Sequence, residues 1–261
     1  MTRDIVKARD ADLLVRIDGP QGKPWILLSN SLATDLHMWD DQIAFLTQTH
    51  RVVRYDTRGH GQSTAPRGPY DFDMLVADML AVLDHVGAER ADIMGLSLGG
   101  MTALGLGLAH PGRVRRMVVC DARADNPPPF VASWDERIAA VEAGGMAAIV
   151  PGTLERWFTT RASAAVRSRA EAMIRATAVP GFTGCARALQ GLSYLHRLGA
   201  LSVPVRYVVG AEDTAAPVAA MQAMADATPG AHLTVLPGMA HIPAMEDPDA
   251  FQDAVSGWFE P

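Results

Sequence analysis

The sequence predicts an α/β protein: a mostly parallel central sheet with helices on both faces and one helical insertion serving as a lid. Three observations predict it. Short apolar, β-branched runs alternate with stretches of helical periodicity, the pattern of parallel strands joined by crossover helices. The alternation stops once, after Cys120, for a stretch that shows only helical patterns, and resumes near residue 203. The chain has 261 residues, 49% hydrophobic and 20% charged, enough to bury one sizeable core with an insertion. Residues 1–123 and 198–261 are therefore expected to form the core, and residues 124–197 the cap.

Residues 13–17 and 25–29 read as strands, and RVVRY at 51–55 as a third. Phe72, Leu75, Val76, Met79, Leu80 and Leu83 recur at helical spacing, which predicts a helix over 72–86 ended by Gly87. A strand over 91–95 runs directly into a helix over 98–109, which His110-Pro111-Gly112 stops. Residues 114–120 form a valine-rich strand. The run Asp125-Asn126-Pro127-Pro128-Pro129 cannot continue any regular element. Beyond the insertion, a strand (203–209), a helix (218–227), a strand (232–236) and a helix (248–259) restore the alternation.

Composition excludes several classes of function. A net charge of −6 argues against nucleic acid or anionic membrane as a partner. The N-terminal MTRDIVKARD has no apolar signal core, and no run of apolar residues is long enough to span a bilayer. Cys120 and Cys185 are the only cysteines, which fits a reducing cytoplasm and no disulfide framework. No C-x-x-C or H-x-x-x-H pair occurs, so neither a metal nor any other cofactor is expected. The expected partner is a small molecule.

Gly95-Leu96-Ser97-Leu98-Gly99 is a G-x-S-x-G pentapeptide lying where a strand turns straight into a helix. Such an elbow raises a serine Oγ above the C-terminal edge of the sheet, and makes Ser97 the candidate nucleophile. Leu98, the first helical residue, has a free N–H and is one candidate oxyanion donor. Leu32, in the loop after the strand ending at Ser29, is the other. A serine needs a base, and His241 in GMAHIPAMEDP follows the last strand. His60, in RGHGQS, is its rival but sits between turn-forming glycines. Asp213, just after a β-branched strand, is the candidate acid that orients His241. Glu212 beside it and Asp121 at the end of the preceding strand are the alternatives. Trp134 and Trp157, in the insertion, are candidate apolar walls of a substrate pocket, or else lid core.

The order Ser97, Asp213, His241, the D-x-R-G-x-G-x-S loop Asp56-Thr57-Arg58-Gly59-His60-Gly61-Gln62-Ser63, and the helical insert together resemble the α/β-hydrolase superfamily. LSNSLATDLHMW, RVVRYDTRGHG and GLSLGG are similar to the corresponding segments of 3-oxoadipate enol-lactonases. Ala33 stands where those lactonases usually have glycine, and Leu98 where they usually have methionine. The resemblance implies the α/β-hydrolase fold and hydrolysis of a small ester or lactone through an acyl-enzyme. Its implied product is 3-oxoadipate, from aromatic-acid catabolism. A general carboxylesterase or carbon–carbon bond hydrolase of the same fold is the alternative, and a catalytically silent ligand-binding protein a further one. A substrate carboxylate would need a cation, and Arg123, Arg137, Arg156 and Arg161 are the candidates. Arg58 reads as a structural part of its loop.

Overall fold

The computed structural model describes residues 2–259. An eight-stranded sheet runs in the order β1-β2-β4-β3-β5-β6-β7-β8. The strands are β1 (Thr2–Lys7), β2 (Asp12–Asp18), β3 (Trp25–Ser29), β4 (Arg51–Tyr55), β5 (Ala91–Leu96), β6 (Val114–Cys120), β7 (Val205–Gly210) and β8 (His232–Leu236). β2 pairs antiparallel with β1 and β4, and every pairing from β4 to β8 is parallel. The C-terminal ends of β3, β5, β6, β7 and β8 therefore share one edge, where ligands bind in sheets of this kind.

Among the described residues the α-helices are α1 (Ile43–Leu46), α2 (Phe72–His85), α3 (Leu98–Ala109), α4 (Pro128–Gly144), α5 (Val150–Trp157), α6 (Ala164–Ala176), α7 (Val179–Gln190), α8 (Val218–Ala227), α9 (Pro243–Glu246) and α10 (Pro248–Val255). In α2 the expected apolar face packs inward, and the Asp71 carboxylate caps the Met74 N–H at 2.8 Å. Every residue of β5 is buried, because α3 covers it and β3 and β6 flank it. Each fully buried leucine or valine in such a layer contributes about 1.5–3 kcal/mol. Helices α4 to α7 all fall between β6 and β7, where the described residues add two short 3-10 helices and, as β-pairing, an isolated bridge from Asp125 to Ser193.

Three differences from the sequence reading have a physical cause in the chain. β1 carries no strand signal because it is an edge strand with only Val6 buried, so no apolar alternation is needed. The prolines after Asp125 do break from β6, yet Pro128 and Pro129 open α4, where a missing N–H costs nothing. The last helix stops at Val255 rather than 259, since Gly257 turns the chain at φ +68°. Among the described residues no helix is long and apolar enough to cross a membrane.

Candidate active site

Ser97 sits at φ 55° and ψ −117°, between β5 and α3. A residue with a side chain holds such a conformation at a cost on the order of 1–3 kcal/mol. Two hydrogen bonds hold it: its N–H donates to the Cys120 carbonyl at 2.8 Å, and its carbonyl accepts the Met101 N–H at 2.9 Å. The flanking glycines follow from the closeness of the turn. A Cβ on Gly95 would lie 2.3 Å from the Gly99 carbonyl oxygen, and one on Gly99 2.2 Å from that of Ser29.

Asp213 stands in the loop after β7, and His241 in the loop after β8. His241 Nδ1 donates to Asp213 Oδ2 at 2.8 Å, with both side chains buried. Asp213 Oδ1 accepts the N–H groups of Ala215 at 2.7 Å and Ala216 at 3.0 Å. Burial pushes the Asp213 carboxyl up, but the charge and hydrogen bond of His241 and these two N–H groups outweigh it. The group is held below the usual carboxylate range. The sequence reading gave Glu246 no role. Its Oε2 accepts the Ala240 N–H at 2.9 Å, its Oε1 accepts from Thr159, and the Ile242 N–H donates to the Trp157 carbonyl. The histidine loop is thus tied to the base of the helical insertion.

The loop after β3 is pinned from below. Asn30 donates through Nδ2 to the Tyr55 carbonyl and accepts from Trp39 Nε1, while Thr34 Oγ1 donates to the Ser31 carbonyl. The Ser31 N–H donates to Met38 Sδ, and the Gly99 N–H to the Asn30 carbonyl. The N–H groups of Leu32 and Leu98 have no acceptor among the described residues. Ala33 follows at φ +64°, a left-handed conformation that glycine adopts more readily than alanine.

A cavity of about 280 Å³ lies over Ser97, His241 and Leu32. Trp134 from α4 and Trp157 from α5 line it, and so do Arg137 and Arg156. Arg137 lies 4.0 Å from the Trp134 ring centre, its Nε has no partner, and burial together with the Arg156 charge brings it down to about 9. Burial also lowers Arg156. Neither arginine is paired with a carboxylate among the described residues; Glu136 lies at the cavity's exposed rim. The other two candidate arginines lie off the cavity wall: Arg123 packs on Phe130 with its guanidinium toward the Ala215 carbonyl, and Arg161 lies against Gly238.

His60 also lies elsewhere. It is buried, its Nδ1 engages the Arg58 carbonyl at 3.0 Å, and burial lowers it to about 4. Arg58 forms a two-pronged ion pair with Asp78 at 2.6 and 2.7 Å. The D-x-R-G-x-G-x-S loop is thus a brace under the sheet edge, with Asp56 accepting the Leu36 and Gln62 N–H groups. Glu212 is exposed.

Residues 24–248 match the family model described as the alpha/beta hydrolase fold. The chain belongs to the α/β-hydrolase family. It is 32% identical to 3-oxoadipate enol-lactonase 2 of Acinetobacter baylyi, over 97% of this chain and 95% of that protein. Among solved structures, a hydrolase from Pseudomonas aeruginosa superposes with a TM-score of 0.94 at 37% identity, covering 99% of this chain and 98% of the other. The enol-lactonase from Burkholderia xenovorans superposes at 0.93 with 35% identity, over 97% and 98% of the two chains. The likeness to 3-oxoadipate enol-lactonases read from the loops thus extends over nearly the whole chain, and the protein is a hydrolase of this fold.

Proposed function

We propose that this hydrolase cleaves a small ester or lactone that carries a free carboxylate, with 3-oxoadipate enol-lactone as the foremost candidate. One observation carries the reading: the same small cavity is lined by Ser97 and His241 and by two guanidinium groups that lack an acidic partner among the described residues. Both arginines are half-buried, the Arg137 Nε is buried without a partner among the described residues, and a substrate carboxylate would supply a charged one. The volume lies at the small end of ligand sites, which run from about 300 to 1,000 Å³, and suits a monocyclic lactone better than a long acyl chain.

In this reading Ser97 is the nucleophile, His241 the base and Asp213 the acid that orients it. Asp213 holds the proton of His241 on Nδ1, which leaves Nε2 free to take the Ser97 proton. Ser97 Oγ attacks the lactone carbonyl, and the N–H groups of Leu32 and Leu98 receive the oxyanion. The ring C–O bond breaks, the leaving enol oxygen takes the proton back from His241 as it departs or directly afterwards, and the enol ketonises later. An enolate is a better leaving group than an alkoxide, so this step asks little of the general acid. Water, deprotonated by His241, then attacks the acyl-enzyme and frees the carboxylic acid. Helices α4 to α7 act as a cap: Trp134 and Trp157 exclude water, and Arg137 and Arg156 hold the distal carboxylate. The reading sets the reaction in the cytoplasm, which suits two buried free thiols.

The test compares kcat/KM for the enol-lactone with that for an uncharged ester of similar size. Arg137→Met is expected to raise KM for the lactone about 10- to 100-fold, the loss of a charge-assisted hydrogen bond, and to leave the neutral ester unaffected. Ser97→Ala is the control, and should lower kcat on both substrates by roughly 10⁴ to 10⁶. An equal loss on both substrates in Arg137→Met would refute the carboxylate reading.

A further inference from the structure

A second carboxyl group, Asp121, stands beside Asp213, and the reaction above gives it no task. It follows β6 at φ +46° and is fully buried. Because β6 and β7 are parallel neighbours, Asp121 and Asp213 leave the same sheet edge side by side. A carboxylate oxygen of each and a ring nitrogen of His241 all lie within 4.8 Å of one another.

The two groups are supplied with donors very unequally. Asp213 receives three N–H groups, from Ala215, Ala216 and His241. Asp121 Oδ1 receives one, the Gly210 N–H at 2.8 Å, and the buried Oδ2 receives none among the described residues. Two carboxylates this close and out of water cannot both carry charge. The one richer in donors keeps the charge, and the orphaned Oδ2 is where the proton belongs.

We propose that Asp121 is a neutral carboxylic acid whose Oδ2–H donates to Asp213, a positioning residue that holds the Asp213 carboxylate against His241. Burial and the Asp213 charge both push the Asp121 carboxyl well up, against the single pull of the Gly210 N–H. The other groups facing the pair agree with this. Glu246, from α9, adds a further negative charge, and the Cys120 thiol, itself pushed up by burial, stays neutral. Arg123 lies on the Asp213 side, where its positive charge favours charge on that group. A neutral Asp121 also suits the chemistry. A second negative charge would overstabilise the imidazolium and slow return of its proton to the leaving group.

The inference rests on the triad reading, and its test has an arm that needs no turnover. The infrared spectrum of the wild type at neutral pH should contain a protonated-carboxyl C=O band that disappears in Asp121→Asn. Absence of that band in the wild type overturns the proposal, whatever Ser97→Ala does to activity. The kinetic arm uses two variants. Asp121→Leu removes the donor, and is expected to lower kcat about 10- to 100-fold at unchanged KM. It should also move the acid limb of the kcat/KM profile upward, because an Asp213 stripped of its donor holds the imidazolium more tightly. Asp121→Asn keeps an acceptor for Gly210 and an N–H donor for Asp213. It should return the limb to its wild-type place and recover kcat to within about threefold, well inside the loss expected for one charge-assisted hydrogen bond. If Asp121 were ionised, Asp121→Asn would delete a negative charge beside the imidazolium. The limb would then fall by about one pH unit, and the proposal would fail. A loss of kcat in the Leu variant with no movement of the limb marks Asp121 as merely structural and also refutes it. Should Asp121→Leu fail to fold, the Asn profile and the infrared band still decide.

Discussion

Asp213→Asn should cripple the enzyme through one proton in the wrong place. Asp213 Oδ1 faces two N–H donors, those of Ala215 and Ala216, and Oδ2 faces His241 Nδ1. An asparagine must set its oxygen toward the two backbone donors. Turning its NH₂ that way would strand both, at about 1–3 kcal/mol each. The amide N–H₂ is therefore forced onto His241 Nδ1, which must become an acceptor. The imidazole proton then moves to Nε2 and points at Ser97, and the ring can no longer act as a base. Such a tautomer reversal in a serine triad lowers kcat by about 10⁴, near 5 kcal/mol of lost transition-state stabilisation. KM should stay within a few-fold, because Asp213 lies behind His241. Steady-state hydrolysis of an activated acetate measures this, and the circular dichroism melt shows whether the variant is folded. Retention of a tenth of the wild-type kcat would refute the assignment. So would a larger loss in Asp121→Asn, which would move the acid to the end of β6.

Two further outcomes test the scaffold. Ala33 holds φ +64°, so Ala33→Gly should stabilise the fold by about 1 kcal/mol at most, read as a small rise in Tm; a fall in Tm would mean the left-handed residue is not strained. His60 is fully buried and lowered to about 4 from an ordinary 6.5, so the unfolded chain binds its proton more readily. Its contribution to stability is complete above pH 6.5 and is lost as pH falls through 4, by on the order of 3 kcal/mol. Urea denaturation of His60→Asn should therefore show a smaller loss between pH 7 and pH 4.5 than the wild type, and equal losses would sink this account.

What the sequence determined by itself was set by local rules. A glycine-flanked serine at a strand-to-helix junction is legible because the tight turn excludes side chains at 95 and 99, and the contact distances there show why. Alternation of buried strands with helices gave the parallel sheet, and the proline run after Asp125 marked where the sheet is left. Asp213 and His241 stood out because each follows a recognisable strand. Elements with little buried surface, such as β1, left no pattern to read.

Tertiary structure decided the rest. The chain offered four arginines with equal claim, and helix packing set Arg137 and Arg156 in the cavity wall while Arg123 and Arg161 went elsewhere. The bracing of the histidine loop by Glu246 depends on contacts with the insertion that no spacing rule encodes. Asp121 read as a rival to Asp213, and only the pairing of β6 with β7 makes the two neighbours. A turn is specified by the few residues within it, whereas which side chains share a buried volume depends on how distant segments pack, and so do their charges.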